Sequence, residues 1–222
     1  MNVFDIIGPV MVGPSSSHTA GAVRIGRMAR LILADEPVEA HIKLFGSFSK
    51  TYKGHGTDRA LAGGLLGYDV DDERINDSLG FAVRQGVRIR FETVDLEQAH
   101  PNTACIELTG KSGRTVCVTG SSIGGGNIII TEIDGIRVEL SGQYYTLIVK
   151  HNDTSGIIAM VTEILASANI NIAFMKDFRT CKGGSAIMVI EADQPVQEET
   201  AIWISGIPQV SYASVIKPVE GE

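Results

Sequence analysis

Cysteine is scarce in this 222-residue sequence, which has only Cys105, Cys117 and Cys181. They are odd in number and widely spaced, and no pair has the close spacing of a zinc site or a redox dithiol, so plain buried thiols are expected. Three scattered thiols are also too few to hold an iron–sulfur cluster. Basic residues are in deficit, 19 against 26 acidic, for a formal net charge of -7 and a pI near 5.3. The resulting field repels nucleic acid and anionic membrane, and neither is expected as a partner. Long apolar runs are missing too, with none near the roughly 18 residues of a membrane helix. The opening MNVFDIIGPV has no basic n-region and no cleavage site, so a cytoplasmic protein is expected.

What is present is globular in character: 44% apolar and 20% charged residues, patterned along most of the length. Residues 19–34 place Ala22, Ile25, Ala29 and Ile32 at helical spacing, with Arg24, Arg27 and Arg30 on another side that reads as a solvated face. Gly21 and Gly26 weaken that helix by about 1 kcal/mol each, a cost that suggests close approach by another backbone. VEAHIKLF then alternates as a strand, GSFSKTYKGHG reads as a glycine-rich loop, and TDRALAGGLLG as a short helix capped by Thr57 or Asp58 and stopped at Gly67. A further helix over DDERINDSLGFAVRQG precedes the strands VRIRFETV, ACIELTG, RTVCVTG, NIIITEI and IRVEL. This is a mixed α/β region, of α+β or α/β class.

Around Gln143 the character changes to strand, helix, strand, strand, helix, strand. Leu147 and Val149 point inward on the first strand, and Ile158, Val161, Ile164 and Leu165 form the stripe of the first helix. The order βαββαβ is the split-βαβ, ferredoxin-like arrangement. Two domains are expected, 1–143 and 145–222, with the boundary near 142–145.

Polar residues concentrate in a few places. GPSSSHT offers Ser15, Ser16, Ser17 and Thr19 as N-cap residues or as a cradle for a carboxylate at a helix N-terminus, with His18 as a group able to act as a base near neutrality. A self-sufficient serine hydrolase fits less well, because the elbow motif is absent and adjacent Ser17 and His18 side chains diverge. KGHGTDRA sets His55 between two glycines, and HPNTA presents His100 and Asn102 around a proline. SIGGGN reads as a hairpin turn or a close backbone contact. HNDTSG, with Asn152, Asp153, Thr154, Ser155 and Gly156, opens the second domain's first helix as a turn or as a site for a small zwitterion.

Taken together and in order, FDIIGPVMVGPSSSHTAGA, GSFSKTYKGHGTDRALAGGLLG, HPNTA and SIGGGNIIITEIDG resemble, along essentially the whole chain, the β chain of the two-chain, iron–sulfur-dependent L-serine dehydratases. The last 78 residues resemble an ACT domain. The resemblance implies a partner α chain that carries a 4Fe-4S cluster and most of the substrate pocket, with no cofactor or metal bound by this chain alone and no pyridoxal phosphate. It implies that His18 removes the α-proton of L-serine while the β-hydroxyl leaves on the unique iron; aminoacrylate then becomes iminopropionate, which hydrolyses to pyruvate and ammonia. Ser15, Ser16, Ser17, Thr19, His55, His100 and Asn102 are the residues expected to handle substrate, His100 and Asn102 at either the catalytic or a regulatory site. Residues 152–156 are expected to hold an amino-acid effector, and a homodimer of this chain is expected. A free-standing amino-acid-binding regulatory protein without catalysis is the competing reading.

Overall fold

The computed structural model of the protein describes residues 10–94 and 100–219. The first residues of the FDIIGPV segment lie outside the described residues. The chain divides into two compact units between Gly135 and Ile136.

In the first unit, helix α1 (Gly21–Leu33) continues out of a five-residue π-helical turn, Ser16–Ala20. Strand β1 (Pro37–Phe45) follows, then α2 (Gly46–His55) and α3 (Thr57–Leu65). A 3-10 turn at Glu73–Asp77 leads into α4 (Ser78–Arg84). Strands β2 (Arg88–Val94), β3 (Asn102–Gly110), β4 (Thr115–Gly124) and β5 (Asn127–Ile133) come after. Within this unit the strands lie in the order β2-β1-β3-β4-β5. β1 and β2 are parallel and the other neighbours antiparallel, so the sheet is mixed.

Alternation along the strands sorts the sheet into two faces. Ala40, Ile42, Leu44, Ala104, Ile106, Leu108, Val118 and Ile130 are buried, and α1 packs on β3, β4 and β5. His41, Lys43, Cys105, Glu107 and Cys117 alternate with them and are half-buried. The expected α1 stripe holds: Ala22, Ile25, Ala29 and Ile32 are all buried.

The two glycines flagged in α1 do admit close neighbours. A Cβ on Gly26 would lie 2.5 Å from the Leu61 carbonyl oxygen, and one on Gly21 would lie 2.2 Å from Ser122 Oγ. The facing Gly64 of α3 is equally committed, since a Cβ there would meet the Val23 carbonyl oxygen at 2.1 Å. Helices α1 and α3 therefore touch backbone to backbone, which no larger residue allows.

Three local expectations are corrected. GSFSKTYKGHG is helix α2 rather than a loop; Gly46 at φ +57 admits the turn into it, the fully buried Phe48 anchors it, and Gly56 at φ +72 ends it. The arginines of α1 do not face solvent. Arg24 Nη1 donates to the Gly126 carbonyl at 2.8 Å, Arg27 pairs with Asp69 at 2.6 Å, and Arg30 Nη1 donates to the Leu65 carbonyl at 2.9 Å. Neither Thr57 nor Asp58 caps α3 with its side chain; the N-cap is Gly56, and Thr57 is buried.

The second unit opens with β6 (Ile136–Leu140). The composition change near Gln143 puts the boundary at 142–145; by compactness this strand goes with the second unit, where it contacts β8 and β9 and Glu139 pairs with Lys176 of β8. Strand β7 (Tyr145–Asn152), α5 (Ile157–Ser167), β8 (Ile172–Arg179), β9 (Ser185–Ala192), α6 (Glu198–Ser205) and β10 (Val210–Ile216) complete the unit. The antiparallel order β10-β7-β9-β8 with two helices is the ferredoxin-like arrangement. Leu147, Val149, Val161, Leu165, Met188, Ile190 and Ile204 form its core. Ile157 is buried where Ile158 was expected; Ile158 is 46% exposed.

Replacing Gly64 with Ala forces α1 and α3 apart and is expected to cost about 1–3 kcal/mol, read as a lowered urea midpoint. Gly54→Ala in α2, where a Cβ meets nothing within 4 Å, is expected to leave stability unchanged or raise it by up to about 1 kcal/mol.

Candidate functional site

The candidate site of the first unit is built where α1 and α3 begin. Gly26 and Gly64 bring the helices together, and Arg30 at the far end of α1 reaches Leu65 at the far end of α3, so the two run in the same direction. Their N-termini consequently lie at one end, α1 entering through the turn that Ser15 caps, and the partial positive charge of both helix starts is directed there.

Ser15 caps the first turn: it is extended at φ -141, and its Oγ accepts from the His18 backbone N–H at 3.3 Å. Its carbonyl accepts from Thr19 N at 2.8 Å. The π-helical turn closes by a Gly21 N–H donated to the Ser16 carbonyl. Such turns are rare and often occur at functional sites. Ser16 and Ser17 are half-buried in it, while His18 and Thr19 are buried, His18 at 9% exposure.

Ser15, Ser47, Phe48 and His55 of this unit stand against the His18 ring. Nε2 is 3.1 Å from Ser47 Oγ and Nδ1 is 3.4 Å from Ser15 Oγ. The His55 ring stands edge-on at 4.7 Å and Phe48 at 5.3 Å between centroids. Burial, and then repulsion from His55, hold the His18 pKa below its ordinary value of 6.5. Both effects favour the neutral ring, the form with a lone pair to accept a proton. Serine hydroxyls suit this purpose, because a hydroxyl can donate or accept and leaves the imidazole uncharged.

Of the residues singled out in the sequence, the structure brings together Ser15, His18, Thr19 and His55. His55 is exposed at the end of α2, and Thr19, His55, Gly56 and Arg59 line one small cavity of about 40 Å³. That is room for a water or two, far below the roughly 300 Å³ at which ligand pockets begin. Asn102 sits opposite Gly46 in a bridge, next to the Ser47 that contacts His18. His100 is exposed; its Nδ1 accepts from Asn102 N at 3.3 Å, and its carbonyl accepts from Thr103 Oγ1 at 2.7 Å. Thr19 Oγ1, Thr57 Oγ1, Asn102 Oδ1 and Ser122 Oγ are buried without a hydrogen-bond partner among the described residues. Buried polar atoms are normally satisfied, so this end of the unit has hydrogen-bonding capacity left over. SIGGGN is the β4–β5 turn, with Gly124, Gly125 and Gly126 all at positive φ.

Sequence reasoning missed Ser47 and Phe48. Both belong to the segment read as a loop, and only its folding into α2 carries them to His18.

In the second unit, HNDTSG leaves the end of β7. His151 is buried, with Nε2 3.1 Å from Asp177 Oδ1 and Nδ1 3.0 Å from the Asn152 carbonyl. Asp153 Oδ2 accepts from Arg179 Nη1 at 2.8 Å and from Gly183 N at 2.9 Å. The Gly183 N–H, followed by the Arg179 guanidinium, holds that carboxyl below its ordinary range. Gly156 at φ +90 is the N-cap of α5, so neither Asp153 nor Thr154 caps it with a side chain. Asn152, Thr154, Ser155 and Gly156 are exposed. Among the described residues, no helix is long and apolar enough to cross a membrane.

By NMR, His18 is expected to titrate below 6.5, and His55→Gln is expected to raise its midpoint without restoring it, because burial is the larger cause. Between the lowered folded value and the ordinary one, the unfolded chain binds the proton that the folded chain refuses. The contribution of His18 therefore lowers stability as pH falls through that window, which acid titration of the urea midpoint reads against the His18→Gln variant.

The family model for the serine dehydratase beta chain matches residues 2–81. A probable L-serine dehydratase beta chain of Bacillus subtilis (strain 168) is 47% identical over 215 residues, covering 97% of this chain and 97% of that protein. An L-serine dehydratase beta chain of Peptoniphilus asaccharolyticus is 37% identical over 217 residues, covering 97% and 98%. A D-3-phosphoglycerate dehydrogenase of Bacillus subtilis is 26% identical over 197 residues, which are 88% of this chain but 37% of that protein. With near-complete coverage in both directions, and with PSSSHT folded into the turn that carries the buried imidazole, this chain belongs to the L-serine dehydratase beta chain family.

Proposed function

We propose that this chain acts with an α chain to convert L-serine to pyruvate and ammonia, and that it contributes His18 as the base that takes the α-proton. The observation that carries the reading is the setting of the His18 ring: neutral by burial and by His55, and oriented by two serine hydroxyls. Ser15 or Ser47 turns away as the substrate's C–H comes up to the ring, and the hydroxyl left behind steadies the imidazolium that forms. The substrate carboxylate is held by Ser15, Ser16, Ser17 and Thr19 together with the backbone N–H groups of the first turn. Asn102 supplies a further polar contact from the start of β3.

The small cavity beside Thr19 and His55 supports the composite character of the site, because a serine molecule needs walls that another chain provides. We place the 4Fe-4S cluster implied by the resemblance on the α chain. Among the described residues no three His, Cys, Asp or Glu side chains are grouped to hold a metal, and Cys181 is in the other unit from Cys105 and Cys117. The cluster belongs to the α chain, and its chemistry lies there.

The second unit serves as the regulatory, ACT-like module and pairs with a second copy of this chain. Its effector, an amino acid, meets Asn152, Thr154, Ser155 and Gly156, with Asp153 fixing the loop through Arg179 and Gly183. The match to a phosphoglycerate dehydrogenase spans 88% of this chain and 37% of that protein, which supports both units also working beside a different catalytic domain. The enzyme works in the cytoplasm.

His18→Ala in the reconstituted two-chain enzyme is expected to lower turnover by about 10²- to 10⁴-fold with cluster content unchanged. Near-normal turnover would remove His18 from the chemistry. This chain alone is expected to be inactive, and a chain that binds L-serine by calorimetry yet gives no activity with any α chain would be a free-standing sensor instead.

A further inference from the structure

The half-buried face of the first sheet carries a constellation that neither the proposed chemistry nor the core uses. Cys105 Sγ on β3 and Cys117 Sγ on β4 are 3.5 Å apart, and neither is fully buried. The strand register explains the encounter. Cys105 stands opposite Thr119 and Cys117 opposite Glu107, so the two thiols are diagonal neighbours on one face. On the other side of β3, Lys43 of β1 stands directly opposite Cys105 and donates to Glu107 at 2.6 Å. His41, on the same face, lies 3.3 Å from Glu107. An open cleft of about 370 Å³ is lined by Cys117, Glu107, His41 and Arg90, so a small solute reaches Cys117, and the neighbouring Cys105 is itself only half-buried.

These charges and hydrogen bonds divide the two thiols into different chemical roles. With Cys105 ionised, the Cys117 S–H is the donor of the shared hydrogen bond; this bond, Thr119 and the Lys43 ammonium together hold the Cys105 pKa down to about 6. Cys117 is pushed up by the same hydrogen bond and by burial. A thiolate with a protonated thiol in contact is the arrangement of an attacking and a resolving cysteine.

We propose that Cys105 and Cys117 form a reversible, hydroperoxide-driven disulfide across β3 and β4. The Cys105 thiolate attacks the peroxide oxygen, breaks the O–O bond and becomes a sulfenic acid, releasing hydroxide or an alkoxide. The Cys117 sulfur then attacks the sulfenic sulfur, its proton passes to the departing hydroxyl, the S–O bond breaks and water leaves; the two thiols are oxidised by two electrons and the peroxide is reduced by two. Diagonal cross-strand positions lie farther apart than ideal for a disulfide, so the bond is easily reduced by a dithiol, as a switch requires. It ties β3, which begins at Asn102, to β4, whose Ser122 lies against the start of α1.

The test uses the full chain with Cys181→Ser, which leaves the pair as its only thiols. Hydrogen peroxide is expected to abolish both titratable thiols with a mass loss of about 2 Da, and dithiothreitol to restore them. With Cys105→Ser added, far-UV circular dichroism confirming the fold, no intramolecular bond forms. Alkylation of the reduced protein is expected to reach half its maximal rate near pH 6 and to move to higher pH with Cys117→Ser. Two thiols that persist in peroxide, oxygen added to the thiols without the mass loss, or a bond only between two copies would each overturn the proposal.

Discussion

The backbone contact between α1 and α3 is the constraint on which the first unit depends. Gly26 and Gly64 let the helices approach until a single methyl group on either would collide with the other's carbonyl oxygen. At that distance neither helix can slide or rotate without overlap, so their shared orientation is fixed. Their N-termini are brought to one end, and with them the π-helical turn that carries His18 and the α2–α3 junction that carries His55. The 4.7 Å spacing of those rings follows from helix packing farther along the chain.

The same geometry decides the electrostatics. Burial and a second imidazole both disfavour protonation of His18, and its nearest polar neighbours are hydroxyls that tolerate a neutral ring. His151 in the second unit is also buried, but its nitrogens meet a carboxylate and a backbone carbonyl, both acceptors. That histidine ties β7 to β8 through its contact with Asp177. Two buried histidines in one chain are thus suited to different work by the chemistry of what touches them.

Much of this was legible in the residues, because periodicity reports which face of an element is buried. The apolar stripe of α1, the alternating strands and the βαββαβ order of the second unit all have that source. The misreadings share another source. GSFSKTYKGHG has weak helix propensity, and it folds as α2 because Phe48 is drawn into the core and glycines at each end supply turns. The α1 arginines looked like a solvated stripe, yet Gly126 and Leu65 offer carbonyl acceptors, and Asp69 a carboxylate, that only the assembled unit places within reach. Cys105 and Cys117 were expected to be plain buried thiols. They are partly exposed and in contact, since a hairpin converts a spacing of twelve residues into a diagonal neighbour.

The sequence by itself determined the two fold types, the close approach at Gly26 of α1, and the local polar turn of Ser15 to Thr19, because each depends on neighbours in the chain or on a repeating pattern. Tertiary structure alone decided that Ser47, 29 residues from His18, would face its ring, that His55 would stand beside it, and that the Asp153 carboxylate would be engaged by Arg179 and Gly183. The physical reason is that a side chain's basicity and its hydrogen-bond partners depend on distance in space, which the chain fixes only once its helices and strands have packed.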